Sequence, residues 1–255
     1  MLESRYLSVE FGGVAALADV TFTVAERSVL GLIGPNGAGK STFIGAASGV
    51  VLPSGGTVTW RGATLAGKRP DQIARLGVGR TFQHARLFPG LTALENVMIG
   101  SHLAGRSGVF SAMLRIPRWR KDEEVLRAAA VEAMEAVHAL HLAHRLSEDL
   151  TAGQQRLVAV ARALAGGPSL LFLDEPAAGL TDAERELLAE DLKGYFATHD
   201  LTVLLVEHNL GFLMSLVSRI VVFDRGAVLA EGTPAGIRAD PAVVDAYLGA
   251  DHAVR

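Results

Sequence analysis

Residues Gly34–Thr42 read GPNGAGKST, directly after the apolar run VLGLI (Val29–Ile33) and directly before FIGAASG. Gly34, Gly39, Lys40 and Ser41 satisfy the pattern G-x-x-x-x-G-K-[ST], with a short buried-strand signal ahead and a helix signal behind. Glycines let a backbone curl until successive N–H groups point inward at phosphate oxygens. The start of the following helix adds its positive end. Lys40 then brings a full charge to the β- and γ-phosphates of a nucleotide. The Ser41 hydroxyl suits Mg²⁺, which prefers oxygen donors, and Thr42 is placed for a further phosphate contact. Gly34, Pro35, Asn36, Gly37, Ala38 and Gly39 would wrap the phosphate chain. A fold that delivers a strand, a tight loop and a helix in this order is α/β.

A second strand signal ends in acids. LLFLDEP (Leu170–Pro176) delivers Asp174 where a carboxylate can reach Mg²⁺, directly or through water. Glu175 follows it and faces another side of the strand end. It is free to orient and activate a water for attack on a γ-phosphate, which favours hydrolysis over transfer to an acceptor. Without the phosphate loop, DEP would read as a solvated turn.

Strand and helix signals alternate along the rest of the chain. PSGGTVTWRGATLAG reads as a hairpin, GVGRTFQHARLFPGLTALENVMIG as a turn-rich passage into helix, and Lys121–Leu146 as helix. In that last stretch Leu126, Ala130, Ala133, Met134, Val137 and Leu140 share a face. LTVLLVEHN is a second apolar strand after the charged helix DAERELLAEDLKGYFATH. RIVVFDRGAVLAEG is a hairpin, and DPAVVDAYLGAD one short amphipathic helix. Such alternation implies a mainly parallel sheet covered on both faces. The middle third lacks strand signals and reads as a helical insert.

The bulk numbers exclude rather than identify. Of 255 residues, 49% are apolar and 20% charged, an ordinary globular balance. A net charge of −3 gives no basic field for nucleic acid. The absence of cysteine removes disulfides, thiolate zinc sites and cysteine nucleophiles. MLESRYLSVEF lacks the basic start and apolar core of a signal peptide. No stretch approaches the ~18–20 apolar residues that span a bilayer, so a membrane role is expected to be peripheral.

Three further signals follow. LTAGQQR (Leu150–Arg156) opens an alanine-rich helix, where Thr151, Ala152, Gly153 and Gln154 would form a second anion site or simply an N-cap. Gln83 in RTFQHARLF and His208 in LVEHN are single polar residues at the ends of elements. In the order phosphate loop, Gln83, LTAGQQR, LLFLDEP, His208, the chain resembles an ABC-type ATPase cassette over nearly its whole length. It is most similar to the ATP-binding subunits of branched-chain amino acid importers, on RLGVGRTFQHARLF, GVFSAMLRIPRWRK, AGQQR, DEPAAGL and GTPAGIRADPAVVDAYLGA. Urea and amide importer ATPases are also similar.

The resemblance implies a P-loop NTPase fold. Residues 1–90 and 151–235 would form a RecA-like α/β core with an N-terminal antiparallel β subdomain. Residues 91–150 would be an inserted helical subdomain and 236–255 a helical tail. It implies ATP and Mg²⁺, with Ser41, Gln83 and Asp174 around the metal. Glu175, His208, Gln83 and Lys40 would carry catalysis. Phe11 would stack on adenine. Gln83 would touch Mg²⁺ or the attacking water and report nucleotide state. Thr151 and Gly153 would bind the γ-phosphate held by another cassette, a copy of this chain or a related one. The remaining partners implied are membrane-spanning permease subunits and, indirectly, an extracytoplasmic solute-binding protein, with the chain on the inner face of the cell membrane. Two positions depart from the common pattern: Ala152 where many cassettes have Gly, and Thr181 where many have Asp.

Other features have simpler readings. His138, His141 and His144 drift round a helix without a completing carboxylate pattern. RIPRWRK (Arg115–Lys121) would meet lipid headgroups or a membrane subunit, or be a solvated face. A cassette acting on nucleic acid or ribosomes would carry a long coiled-coil insert or a second cassette. A small-molecule kinase would leave LTAGQQR and His208 without a role.

Overall fold

The computed structural model describes residues 1–81, 86–101 and 117–252. The chain divides into two compact units, Met1–Val78 with Leu201–Arg255, and Gly79–Asp200.

The first unit begins with an antiparallel sheet in the order β2-β1-β4-β5. Its strands are β1 (Leu2–Phe11), β2 (Val14–Val24), β4 (Gly55–Trp60) and β5 (Ala63–Thr64). Alternation of apolar and polar residues turns Leu2, Leu7, Val9, Leu17, Val20, Val58 and Trp60 inward. The β1–β2 turn is Gly12–Gly13, both at positive φ (56° and 84°), the conformation a two-residue hairpin needs.

The unit's other sheet strands are β3 (Val29–Ile33), β8 (Thr202–Val206), β9 (Arg219–Asp224) and β10 (Ala227–Gly232). β3 lies parallel between β8 and β9, and β10 returns antiparallel on β9. β8 is buried along its whole length: Val203–Val206 are all apolar, and the Thr202 hydroxyl accepts from Arg27 N at 2.9 Å. The RIVVFDRGAVLAEG hairpin is therefore as expected, turning at Arg225 and Gly226. Helix α1 (Lys40–Ala47) follows β3. Its Phe43 packs against Phe22 of β2 and Phe223 of β9, with ring centroids 4.9 and 6.0 Å away. α2 (Pro70–Ala74) completes the N-terminal part.

The second unit contains β6 (Val78–Arg80, which begins one residue before it) and β7 (Leu170–Asp174). Its helices are α3 (Ala93–Ser101), α4 (Pro117–Glu135), α5 (Ala152–Ala165) and α6 (Asp182–Thr198). α3, α4 and α5 pack on one another. Gly100 on α3 brings that helix against α5 so closely that a Cβ there would lie 1.9 Å from the Arg162 carbonyl oxygen.

Three details depart from the sequence reading. β6 is a strand inside a passage read as turn. The helix expected to run to Leu146 stops at Glu135; His138 takes φ 54° and a short 3-10 turn follows at Leu140–Leu142. Ala130, Ala133, Met134 and Val137 are buried as expected, but Leu140 is 38% exposed because the helical period has ended before it. The C-terminal part holds α7 (Leu210–Leu216), α8 (Pro234–Ala239) and α9 (Pro241–His252), so a second short helix, α8, stands before the one over DPAVVDAYLGAD. Thr233 caps α8 by accepting from Gly236 N at 3.3 Å.

Candidate nucleotide site

The phosphate loop is built by steric necessity at two glycines. Gly34 follows β3 at φ 150°, and a Cβ on it would fall 2.1 Å from the Phe223 carbonyl oxygen. Gly39 takes φ 100° at the N-cap of α1, with Ala16 O 2.8 Å from where its Cβ would be. The loop is tied down by backbone bonds. Gly226 N donates to Ala38 O at 3.1 Å, and Ala18 N to Gly226 O at 2.9 Å. Asn36 and Gly37 form its exposed lip, Pro35 is half-buried and Ala38 is buried.

Lys40 opens α1 and is 7% exposed. Its Nζ donates to Gly34 O at 2.5 Å and to Pro35 O at 2.9 Å. The ammonium is thus curled back over the loop that its own helix leaves. Ser41 is exposed and Thr42 half-buried on the same first turn. No acid stands in that turn, so its N–H groups and the lysine form a cationic nest of donors. That donor set suits a phosphate chain.

The same unit carries Phe11 and His208. Phe11 is a large apolar ring, 54% exposed, at the tip of the first hairpin. His208 is exposed just beyond β8. A residue the motif reading missed sets its place: Glu207, 5% exposed, accepts from His208 N at 3.0 Å and Asn209 N at 3.3 Å. Asn209 in turn caps α7 through Phe212 N at 2.9 Å.

The second unit carries the acids and the second motif. Asp174 is 2% exposed at the end of β7. Its N donates to the Thr81 hydroxyl at 2.9 Å, and Thr81 N donates to Phe172 O at 2.9 Å. Arg80 reaches the Asp174 carboxylate at 3.8 Å. Burial pulls the Arg80 guanidinium below its ordinary value while Asp174 pushes it back up. Thr81 and Arg80 were not singled out in the sequence, since each matters only through β6 beside β7. Glu175 is half-buried and sits at φ 50°, a left-handed conformation costly for a residue with a Cβ. Strain at a charged residue in such a turn marks a position fixed by its surroundings.

Thr151 is the N-cap of α5 and forms a capping box: its hydroxyl accepts from Gln154 N at 3.3 Å and Gln154 Oε1 accepts from Thr151 N at 3.1 Å. The cap uses an acceptor lone pair and leaves the hydroxyl proton to donate. Ala152 begins α5 with no positive φ, so a glycine is not needed there. Gly153 is buried, with a Cβ position 2.9 Å from Gly179 O in the loop after Glu175. Thr181 caps α6 through a second capping box with Glu184. Thr151 to Gln154, Asp174 and Glu175 therefore fall in one unit and Phe11, the phosphate loop and His208 in the other. Gln83 lies outside the described residues, as does most of GVFSAMLRIPRWRK.

His138 and His199 reach carboxylates, Asp191 at 3.6 Å and Glu132 at 3.3 Å. Among the described residues no cluster of His, Cys, Asp and Glu has the makings of a metal site. No helix among them is long and apolar enough to cross a membrane.

A family model described as ABC transporter matches residues 17–178. Another, described as branched-chain amino acid ATP-binding cassette transporter, matches residues 227–253. The high-affinity branched-chain amino acid transport ATP-binding protein LivG of Salmonella typhimurium is 41% identical over 249 residues, 98% of each chain. The LivG protein of Escherichia coli K12 is 39% identical over the same share. Among solved structures, a nucleotide-free ATP-binding cassette of an ABC transporter superposes with a TM-score of 0.81 at 28% identity, covering 97% of this chain and 98% of that one. A dimeric cassette in a post-hydrolysis state bound to ADP and Pi gives 0.79 at 26% identity, covering 92% and 99%.

Proposed function

The chain belongs to the ABC transporter ATP-binding cassette family, and from that membership we propose that it is the ATP-hydrolysing subunit of a branched-chain amino acid importer. The observation that carries the ATPase reading is the phosphate loop, where Lys40 and the N–H groups of the α1 start converge with no acid among them. The solute class is supported by the LivG relatives and by the matched C-terminal segment 227–253.

The roles follow from chemistry. Phe11 offers a π-face to adenine. The loop N–H groups, Lys40 and Thr42 bind phosphate oxygens. Mg²⁺, held by the hard oxygens of Ser41 and Asp174 with Gln83, would offset the charge of the β- and γ-phosphates. Glu175 takes a proton from water as the water oxygen bonds to the γ-phosphorus, and the bond from that phosphorus to the bridging oxygen breaks toward ADP. His208 contacts the γ-phosphate and holds the water and Glu175 in line.

A phosphate loop open to solvent leaves the γ-phosphate half-hydrated, and hydrolysis gains from excluding that water. Thr151 and Gly153 at the start of α5 supply donors for the nucleotide of a second cassette. Two cassettes then close over two ATP molecules, and separation of the charged products reopens them. The cassettes are peripheral to the inner face of the membrane, where permease subunits receive the movement and an extracytoplasmic protein presents solute. Nucleic acid has no place in this cycle.

Glu175→Gln tests the scheme. It should keep ATP affinity, lower turnover by ~10²-fold or more, and accumulate a closed ATP-bound dimer in gel filtration. Parent-rate hydrolysis removes Glu175 as the base.

A further inference from the structure

Asp174 is an acid that the fold has taken out of water at the end of β7. A buried carboxylate is costly unless a cation offsets it. The neighbouring strand supplies one.

β6 lies beside β7, and Gly79 lets it lie close: a Cβ there would stand 3.1 Å from Pro168 Cβ and 3.2 Å from Leu171 Cδ1. The Thr81 hydroxyl accepts from Asp174 N at 2.9 Å and donates to Phe172 O at 3.4 Å. This clasp places the preceding residue. Arg80, its side chain 15% exposed, brings Nη2 to 3.8 Å from Asp174 Oδ2. Burial draws the guanidinium below its ordinary value and Asp174 opposes that, but arginine stays charged at physiological pH.

At 3.8 Å the contact is an ion pair and not a hydrogen bond. It offsets the carboxylate charge without taking up a carboxylate lone pair, so it does not block that oxygen from a metal. A divalent cation on Asp174 would nevertheless share the carboxylate with a guanidinium, a second positive charge. Like charges repel more strongly where water is scarce. The two cations therefore compete for one acid.

We propose that Arg80 is a positioning residue of the Mg²⁺ site, which holds the Asp174 charge while the metal is absent and so sets how much Mg²⁺ the site needs. The proposal rests on the reading of Asp174 as a metal ligand. Arg80 acts through Asp174.

The test is Arg80→Gln in the full chain, beside Asp174→Asn and the double variant. Two quantities are read: the nucleotide-free melting temperature in EDTA, and the Mg²⁺ concentration that gives half-maximal binding of a fluorescent ATP analogue. Arg80→Gln should lower the first, because Asp174 is left uncompensated. It should also lower the second, by about 3- to 10-fold. A merely structural role lowers the melting temperature and leaves the Mg²⁺ requirement parental or raised, and that result overturns the proposal. Asp174→Asn should raise the Mg²⁺ requirement, and adding Arg80→Gln to it should change that requirement no further. The double variant should melt above Arg80→Gln alone, since the stranded acid is gone. That comparison holds even where Arg80→Gln folds poorly, and a double variant no more stable than Arg80→Gln overturns the ion pair. A parental Mg²⁺ requirement in Asp174→Asn removes the metal-ligand reading, and the role of Arg80 falls with it. A raised requirement there beside a parental one in Arg80→Gln removes Arg80 alone.

Discussion

Gly153→Ala and Gly194→Ala are the same chemical change on two helices, and the structure assigns them opposite signs. Gly194 lies exposed on α6, and a Cβ there meets nothing within 4 Å. Alanine should therefore deliver its helix preference, a gain of up to ~1 kcal/mol. Gly153 is buried in the first turn of α5. A Cβ there stands 2.9 Å from Gly179 O and 2.9 Å from Leu180 Cδ2. Carbon atoms in good contact are about 3.5–4.0 Å apart, so one partner must retreat by several tenths of an ångström. Leu180 can rotate away, but Gly179 O is backbone and moves only with the loop that follows Glu175. Overpacking of this kind costs about 1–3 kcal/mol, and the helix preference of alanine offsets less than ~1 kcal/mol of it in a first turn. A net loss of ~1–2 kcal/mol remains. Urea denaturation of both variants beside the parent measures the difference. Turnover should also fall in Gly153→Ala, since the displaced loop carries Glu175, while ATP affinity of the isolated chain stays near the parent. If Gly153→Ala is as stable as Gly194→Ala, the contact between α5 and the Gly179 loop is not what requires glycine. A larger substitution such as Gly153→Asp adds this internal clash to any effect on a partner's nucleotide, so Gly153→Ala is the cleaner probe.

Thr181→Ala removes the α6 cap and should cost ~1 kcal/mol at neutral pH. The Thr181 backbone N–H, then its hydroxyl, hold the Glu184 carboxyl below its ordinary value. Their contribution is present above the unfolded carboxylate pKa and is lost as pH falls through the lowered one, so the gap between parent and variant in denaturant melts should shrink toward acid. A gap that widens toward acid contradicts the cap. Gly100→Ala should force α3 and α5 apart, because its Cβ would lie 1.9 Å from Arg162 O. A loss above ~3 kcal/mol, or failure to fold, is expected in thermal melts, and a parental melting temperature refutes the close crossing.

The phosphate loop, the acids after β7 and the capped start of α5 were legible because each is written in consecutive residues whose local chemistry is unambiguous. A strand before glycines and lysine before a helix needs no tertiary information. β6 was not legible: Val-Gly-Arg is too short to display a period of two, and it is a strand only because β7 is beside it. For the same reason Arg80 and Thr81 could not be linked to Asp174 at a distance of more than ninety residues. The end of α4 at Glu135 carries no glycine or proline to announce it. His138 adopts the left-handed conformation there instead, which a sequence reader assigns to glycine or asparagine first. Glu207 follows β8 as a single acid with no motif of its own. Its burial becomes evident only when the backbone turns and presents two N–H groups to it.

What the motif also conceals is how the loop is held still. The pattern specifies glycines, yet the reason for them lies in residues remote in sequence: Phe223 O behind Gly34, Ala16 O behind Gly39, and the Gly226 turn bonded at once to Ala38 and Ala18. These contacts come from β2 and the β9–β10 hairpin, and all are backbone atoms that cannot rotate away. A loop gripped by backbone keeps its N–H dipoles aimed before any phosphate arrives, and binding is not charged the cost of arranging them. Lys40 is the exception. Its Nζ rests on the Gly34 and Pro35 carbonyls, and to reach a phosphate it must exchange those neutral acceptors for anionic ones. Charge-assisted bonds are the stronger kind, so the exchange runs toward the nucleotide. The side chain moves and the loop stays, which is why the position of Gly34, and whatever fixes it, bears on affinity.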